Sequence, residues 1–214
     1  MELGPPFWAT ENYIVGGFEA IRGQLSEQTS ELPVVPAETY YGGAAAGADL
    51  PLDELYVPDD IDDAIAVFTE LSNDQRRRFL RSAAAIYAAS EFWTSSMSAY
   101  FLACVQAIET LVDRLPAELC PGCGKDVSPG PTRLFREFVE KHCRIRHVDQ
   151  RIVKNLYAVR SALAHGRYLF QLDEAPWAFS MAASVASHHE LEMSWAALSL
   201  AKNGLRSWLL CQRV

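Results

Sequence analysis

The chain has 214 residues, half of them hydrophobic, and a formal net charge of -8 at pH 7. That suffices for one good core plus an appendage, and the overall acidity argues against a general nucleic-acid coat. No apolar run approaches the roughly 18 residues of a membrane span, and residues 1–10 lack the basic and apolar regions of a signal peptide, so no membrane association and a cytoplasmic setting are expected. Cys104, Cys120, Cys123, Cys143 and Cys211 are too few and too unevenly spaced for a disulfide scaffold.

Charge is divided along the chain. Residues 1–70 hold fourteen acidic residues and one basic residue, Arg22, whereas residues 125–167 hold ten basic and four acidic residues. The basic block allows a local phosphate site; the alternative is that both runs are solvated faces. Residues 1–71 read as an irregular acidic N-terminal arm with one short helix, rich in Pro and Gly. Tyr13-Ile14-Val15 and Pro33-Val34-Val35 are candidate short strands, and residues 42–47 a flexible linker. Asp59-Asp60 is expected to cap the short helix, whose apolar stripe is Ile61, Ile65, Phe68 and Leu71.

Residues 72–214 read as an all-α helical domain. Ser72 and Gln75 form a capping-box pattern opening a helix to about residues 91–94, with Phe79, Ala83, Ile86 and Tyr87 inward. A second helix is expected from about Ser96 to Leu115, ended by Pro116, with Tyr100, Leu102, Val105, Ile108, Leu111 and Val112 buried. Leu134, Phe135, Phe138 and Val139 mark a third. The next runs from about Asp149, with Ile152, Leu156, Val159 and Leu163 at helical spacing, and Gly166 supplies the left-handed position that stops it. After a loop near residues 173–176, a last helix over about residues 188–211 turns Leu191, Trp195, Leu198, Leu205 and Trp208 inward. His188-His189-Glu190 reads as its solvated start.

The chemistry-bearing stretch is the end of the helix before Gly166. Arg160 is a fixed cation able to pair bidentately with phosphate, and His165 titrates near neutral pH and can move protons. Ser161, four residues before His165, lies on the same helix face and could orient the imidazole or bind phosphate. Five residues of helix separate Arg160 and His165 by about 140°, so a helix end, a long side chain or a second subunit must bring them together. The structural alternative is an Arg160 ion pair with Glu109 or another buried carboxylate and a His165 that only caps carbonyls.

Tyr157-x-x-Arg160-x4-His165-Gly166, set in this order of helices after Gln106-Ala107-Ile108-Glu109-Thr110-Leu111 and a Cys-Pro-x-Cys-Gly loop, resembles the HEPN superfamily, most nearly its Apea-like branch. The resemblance covers about residues 72–210. It implies a HEPN-like bundle and a metal-independent endoribonuclease with Arg160 and His165 catalytic and RNA as partner. It also implies a homodimer that places both motifs in one groove, 2′,3′-cyclic phosphate ends, and a role in phage defence or stress-linked RNA restriction, with room for a regulatory protein partner. Ser161 stands where active members often carry Asn, Asp or His, and Tyr168 lies three residues after the histidine where the toxin-type pattern has two. The alternatives are a catalytically silent HEPN module binding RNA, a nucleotide or a protein partner, and a purely structural scaffold.

Cys120-Pro121-Gly122-Cys123-Gly124 is half of a zinc knuckle. Cys143 is the best third ligand of a structural zinc, with His142 or His147 next; the competing reading is a reduced pair in a turn. No cofactor is expected for catalysis. The acidic arm, densest at Asp59-Asp60 and Asp62-Asp63, is expected to mimic phosphate and partly mask the basic groove.

Overall fold

One helix, α4 (Met97–Leu111), sits at the centre of the molecule: Phe101, Cys104, Val105, Ala107 and Ile108 are fully buried, and Tyr100, Ala103 and Leu111 nearly so. Of its residues only Gln106 is exposed, so neighbours must cover most of its surface. The computed structural model describes residues 32–42, 56–113, 119, 121–123, 128–143, 150–174 and 185–213. Val34–Val214 form one compact unit and Met1–Pro33 another; all the elements lie in the first. They are β1 (Val34–Val35), α1 (Ala37–Gly42), β2 (Val57–Pro58), α2 (Ile61–Glu70), α3 (Asn73–Phe92), α4, α5 (Pro131–His142), α6 (Gln150–Ala164), α7 (Gln171–Glu174) and α8 (Val185–Leu210). The chain is therefore an all-α bundle, with eight helices among the described residues. None of these helices is long and apolar enough to cross a membrane.

Packing around α4 is dominated by α3 and α8, with α5, α6 and α7 completing the enclosure. The Ser72–Gln75 capping box forms as expected, the Gln75 N–H bonding Ser72 Oγ at 3.3 Å and the Ser72 N–H bonding Gln75 Oε1 at 3.0 Å. Ser82 on α3 is fully buried and donates to the Ala107 carbonyl at 2.9 Å, satisfying a hydroxyl that burial would otherwise penalise. At Gly204 of α8 a Cβ would lie 2.8 Å from Cys143 Sγ and 3.4 Å from Phe138 Cε1. The absent side chain lets α5 approach α8 closely.

Several expected details change. The second long helix stops at Leu111, with Val112 extended at ψ 128°, well before Pro116, which lies outside the described residues. Arg78 from α3 accounts for that early stop: it donates to the Thr110 and Leu111 carbonyls and pairs with Asp113 Oδ1 at 2.7 Å. Tyr87 is 52% exposed, Ile65 55% and Trp195 49%, so α2 turns Ala64 and Val67 inward and α3 buries Ser82 and Ala89 instead. Trp195 stacks on Trp93, rings 6.5 Å apart and 22° from parallel. The expected loop at Asp173 is the one-turn helix α7.

The arm also differs. Val34 and Val35 do form a strand, paired in parallel with Val57 and Pro58, and α1 follows directly. Tyr13–Val15 and the linker after Gly42 lie outside the described residues. The boundary expected after residue 71 falls inside the compact unit, because Ala64, Val67 and Leu71 belong to the same core as α4. Asp60 stands at the N-cap of α2 without a side-chain cap bond. It pairs instead with Arg206 on α8, while Asp59 Oδ1 accepts the Ala37 N–H at 2.9 Å.

The N-terminus of α4 is capped across the fold. The Asp173 carboxylate accepts from the Met97 and Ser98 N–H groups, both at 2.7 Å, and from Ser96 Oγ at 3.1 Å. Ser96 Oγ in turn accepts the Ala99 N–H. Charge-assisted caps of this kind are each worth more than neutral ones. Asp173→Ala is expected to lower unfolding free energy by about 2–3 kcal/mol and Asp173→Asn by roughly half that, read by urea denaturation. Equal stability of Asp173→Ala and wild type contradicts this account.

Candidate functional site

The helix carrying the motif, α6, buries Leu156 and Leu163 and half-buries Ile152 and Val159, the stripe its sequence spacing requires. It ends in a Schellman motif: the Gly166 N–H bonds the Leu163 carbonyl at 3.0 Å, the Arg167 N–H bonds the Ala162 carbonyl at 2.9 Å, and Gly166 has φ +63°. This is the left-handed stop that glycine allows without a Cβ clash. His165 therefore stands at the helix end, exposed, and its ring forms no hydrogen bond or ion pair among the described residues. Its backbone N–H bonds the Ser161 carbonyl at 3.1 Å.

Arg160 points elsewhere. Its Nη2 donates to Glu109 Oε2 at 2.8 Å, with the two side chains 31% and 24% exposed. The guanidinium also lies 5.9 Å from the centroid of the Tyr157 ring, which packs at 5.4 Å against Phe135. Arg160, Glu109 and Tyr157 thus form one group joining α4 and α6, with Phe135 of α5 packed on the Tyr157 ring. Among the described residues no hydrogen bond or ion pair joins His165 to it, in keeping with the angular separation along α6. Ser161 is half-buried and makes no side-chain hydrogen bond among the described residues.

The opposite face of α6 borders a cleft of about 480 Å³. From α6 it receives Asn155, Ala158, Val159 and Ala162; facing them are Tyr168, and His189, Glu190 and Met193 of α8. Tyr168 follows the Schellman turn, its ring 6.4 Å from the fully buried Phe170. Both oxygens of Glu190 accept the Gln171 N–H, at 2.9 and 3.0 Å. Burial raises the Glu190 carboxyl above its ordinary range, the Gln171 and Leu172 N–H groups oppose this, and Asp173 and Glu174 reinforce it. Burial also raises the Tyr168 phenol, with Glu190 adding to the shift. Glu190, expected as part of a solvated helix start, is thus half-buried and fixed. Nothing in its sequence context announced this, because its partner is a backbone N–H 19 residues away.

The metal candidates lie only partly among the described residues. Cys143 is 3% exposed, at the close contact between α5 and α8, and burial holds its thiol far above the usual range. Cys123 is exposed; Cys120 and His147 lie outside the described residues. His142 is buried against Phe138 with Nδ1 3.2 Å from Ser207 Oγ. Among the described residues no group of three His, Cys, Asp or Glu side chains is arranged to hold a metal ion.

Two residues of the acidic run named as a phosphate mimic are engaged at the C-terminal end of α8 and just beyond it. Asp60 pairs with Arg206 and Asp63 with Arg213, while Arg206 lies over the Tyr41 ring at 5.6 Å. Arg206 is sixteen residues beyond Glu190, about 24 Å along the helix. These described parts of the arm therefore cover the C-terminal half of α8, away from the cleft.

Comparison of the chain with protein-family models, with curated proteins and with solved structures finds no match.

The Gly204 contact yields a coupled prediction. Gly204→Ala should destabilise by about 1–3 kcal/mol through overpacking, and Cys143→Ala in the same chain should recover most of that loss. Thermal or urea unfolding of the two single variants and the double variant measures the coupling; strictly additive losses contradict it.

Proposed function

We propose that the chain is a metal-independent endoribonuclease of HEPN type, working as a two-fold homodimer. The observation that carries this reading is the exposed His165, its ring without a hydrogen bond among the described residues, held at the Schellman terminus of α6, one turn beyond an Arg160 whose guanidinium is oriented by Glu109. RNA brings its own nucleophile. His165 accepts the proton of a 2′-hydroxyl as that oxygen attacks the adjacent phosphorus. The bond from phosphorus to the 5′-oxygen breaks, and the second copy's histidine protonates the leaving oxygen. The products are a 2′,3′-cyclic phosphate and a 5′-hydroxyl. Arg160 stabilises the charge that builds on the phosphoryl oxygens; a single hydrogen bond to Glu109 leaves most of its donors available. Two-fold symmetry supplies the convergence that one helix cannot. Phage defence or stress-linked RNA restriction is the biological setting the resemblance implies.

One observation favours a second reading, a catalytically silent module that binds RNA, a nucleotide or a protein partner. Glu109 offsets the Arg160 charge inside the chain, and a neutralised arginine is a weaker phosphate ligand. The readings differ in product. On the first, purified protein cleaves RNA and leaves cyclic phosphate ends. His165→Ala should then slow cleavage by about 100-fold or more and Arg160→Ala by a similar factor, with unchanged helical circular dichroism and a dimer in sedimentation. RNA binding without product selects the silent module. Undiminished cleavage by His165→Ala removes this mechanism.

A further inference from the structure

We propose that the outward face of α3 is a self-association surface. On it a second copy of the chain packs its own α3, running the opposite way about a two-fold axis at Ala84. The face shares no residue with α6, so it does not depend on the endoribonuclease reading and joins chains at a different place.

The make-up of the face carries the argument. The 20 residues of α3 turn Ser82 and Ala89 into the core. On the other side Leu80 and Tyr87 are each 52% exposed, and Arg77, Arg81, Ala84 and Glu91 are exposed with them. At about 100° per residue all six lie within roughly 60° of Ala84. Leu80, Ala84 and Tyr87 therefore form one apolar stripe at helical spacing, the pattern that normally turns toward a neighbour. The Tyr87 hydroxyl hydrogen-bonds Glu91 one turn on, which ties the ring to its own helix. A contiguous apolar stripe with a charged rim is the composition of an association surface.

The order of the residues names the occupant. Arg77 and Glu91 stand seven positions to either side of Ala84, Leu80 and Ala88 four, and Arg81 and Tyr87 three. A two-fold axis at Ala84 reverses that order on the second copy. Leu80 then meets the second copy's Tyr87 and Ala88, large against small. Ala84 meets its own counterpart, and no side chain longer than a methyl separates the helices there. Arg77 and Arg81 come against the second copy's Glu91, and symmetry repeats the contact. A parallel arrangement sets arginine on arginine instead, so charge selects the antiparallel one. Arg81 has no ion pair among the described residues. Arg77 reaches Asp74 at 2.5 Å, but both side chains are largely exposed, and such a pair holds little. From Arg77 to Glu91 the face is about 21 Å long and one helix wide. That is less than the roughly 800 Å² per partner of a standard interface, so a weak, concentration-dependent association is expected.

Sedimentation of the full chain, from low to high micromolar concentration and at low salt, tests the assignment. Wild type is expected to approach twice the mass of Ala84→Arg, whose two guanidiniums oppose each other at the axis. Ala84 is exposed and arginine is a good helix former, so circular dichroism should be unchanged. Glu91→Arg should weaken association about fivefold or more, because two ion pairs become two repulsions. Adding Arg77→Glu and Arg81→Glu to that same chain should restore it. Wild type and Ala84→Arg of equal mass at every concentration overturn the proposal. Failure of the compensating changes to restore association overturns it as well, because a surface for an unrelated partner has no reason to obey the two-fold. RNA cleavage is read separately. A cleaving dimer indifferent to Ala84→Arg leaves the endoribonuclease reading in place and removes the α3 surface. Association that follows α3 in a protein that cleaves nothing keeps the surface and removes that reading.

Discussion

A helix with ten of its fifteen residues buried has its first and last turns beside the core, where terminal N–H and C=O groups need partners, and α4 is such a helix. The penalty for an unpaired buried backbone group, about 1–3 kcal/mol each, makes the capping of α4 a constraint on everything near it. The fold meets it from outside the helix. Asp173 and Ser96 take the first three free N–H groups, and Arg78 reaches the last carbonyls while lying over the Trp208 ring at 5.4 Å. Both solutions use charged side chains from distant segments, so the central helix fixes the position of α3, α8 and the segment that follows α6.

That last consequence reaches the site. The Phe170 N–H bonds Ser98 Oγ at 2.9 Å, and the Phe170 ring packs edge-on against Phe101. With Asp173 capping and Glu190 holding Gln171, the chain from Phe170 to Asp173 is tied to α4 and α8 within four residues. The Schellman turn at Gly166 lies immediately before. His165 and Tyr168 are exposed side chains on a backbone held at both ends, so they are accessible without being loose. The same central helix supplies Glu109 to Arg160, so both halves of the motif are referenced to one buried element by different means.

The helical class, the capping box at Ser72 and the glycine stop at Gly166 were legible because each rests on residues within a few positions of one another. Periodicity also placed Leu156, Leu163, Val105, Ile108 and Trp208 correctly. It misdirected Ile65, Tyr87 and Trp195, since a large apolar residue at helical spacing says nothing of which neighbour exists to cover it. Asp59-Asp60 before α2 looked like a cap, yet arginine 146 positions away competed for Asp60. Long-range partners of this kind have no sequence signature. Asp173, Glu190 and the parallel pairing of Val34 with Val57 were invisible for that reason. The Arg160–Glu109 pair was legible as an alternative, whereas the cleft on the other face of α6 required α8 in place.

The charge division takes on a different meaning once its partners are known. Asp60 and Asp63 are matched to Arg206 and Arg213, and the first pair is largely shielded from solvent. A pair of that kind fixes position more than it adds stability, because desolvation offsets much of its attraction. It seats α1 and α2 on the far half of α8, with the Tyr41 carbonyl accepting from Asn203 Nδ2 at 3.3 Å. A carboxylate so engaged is held about 24 Å along α8 from Glu190 and its cleft, and screening over more than a Debye length weakens any effect of its charge there. The described acidic residues at positions 60 and 63 thus serve the architecture. What remains near the end of α6 is a mixed set of charges, with Arg167 in the Schellman turn and Glu190, Asp173 and Glu174 at and around α7.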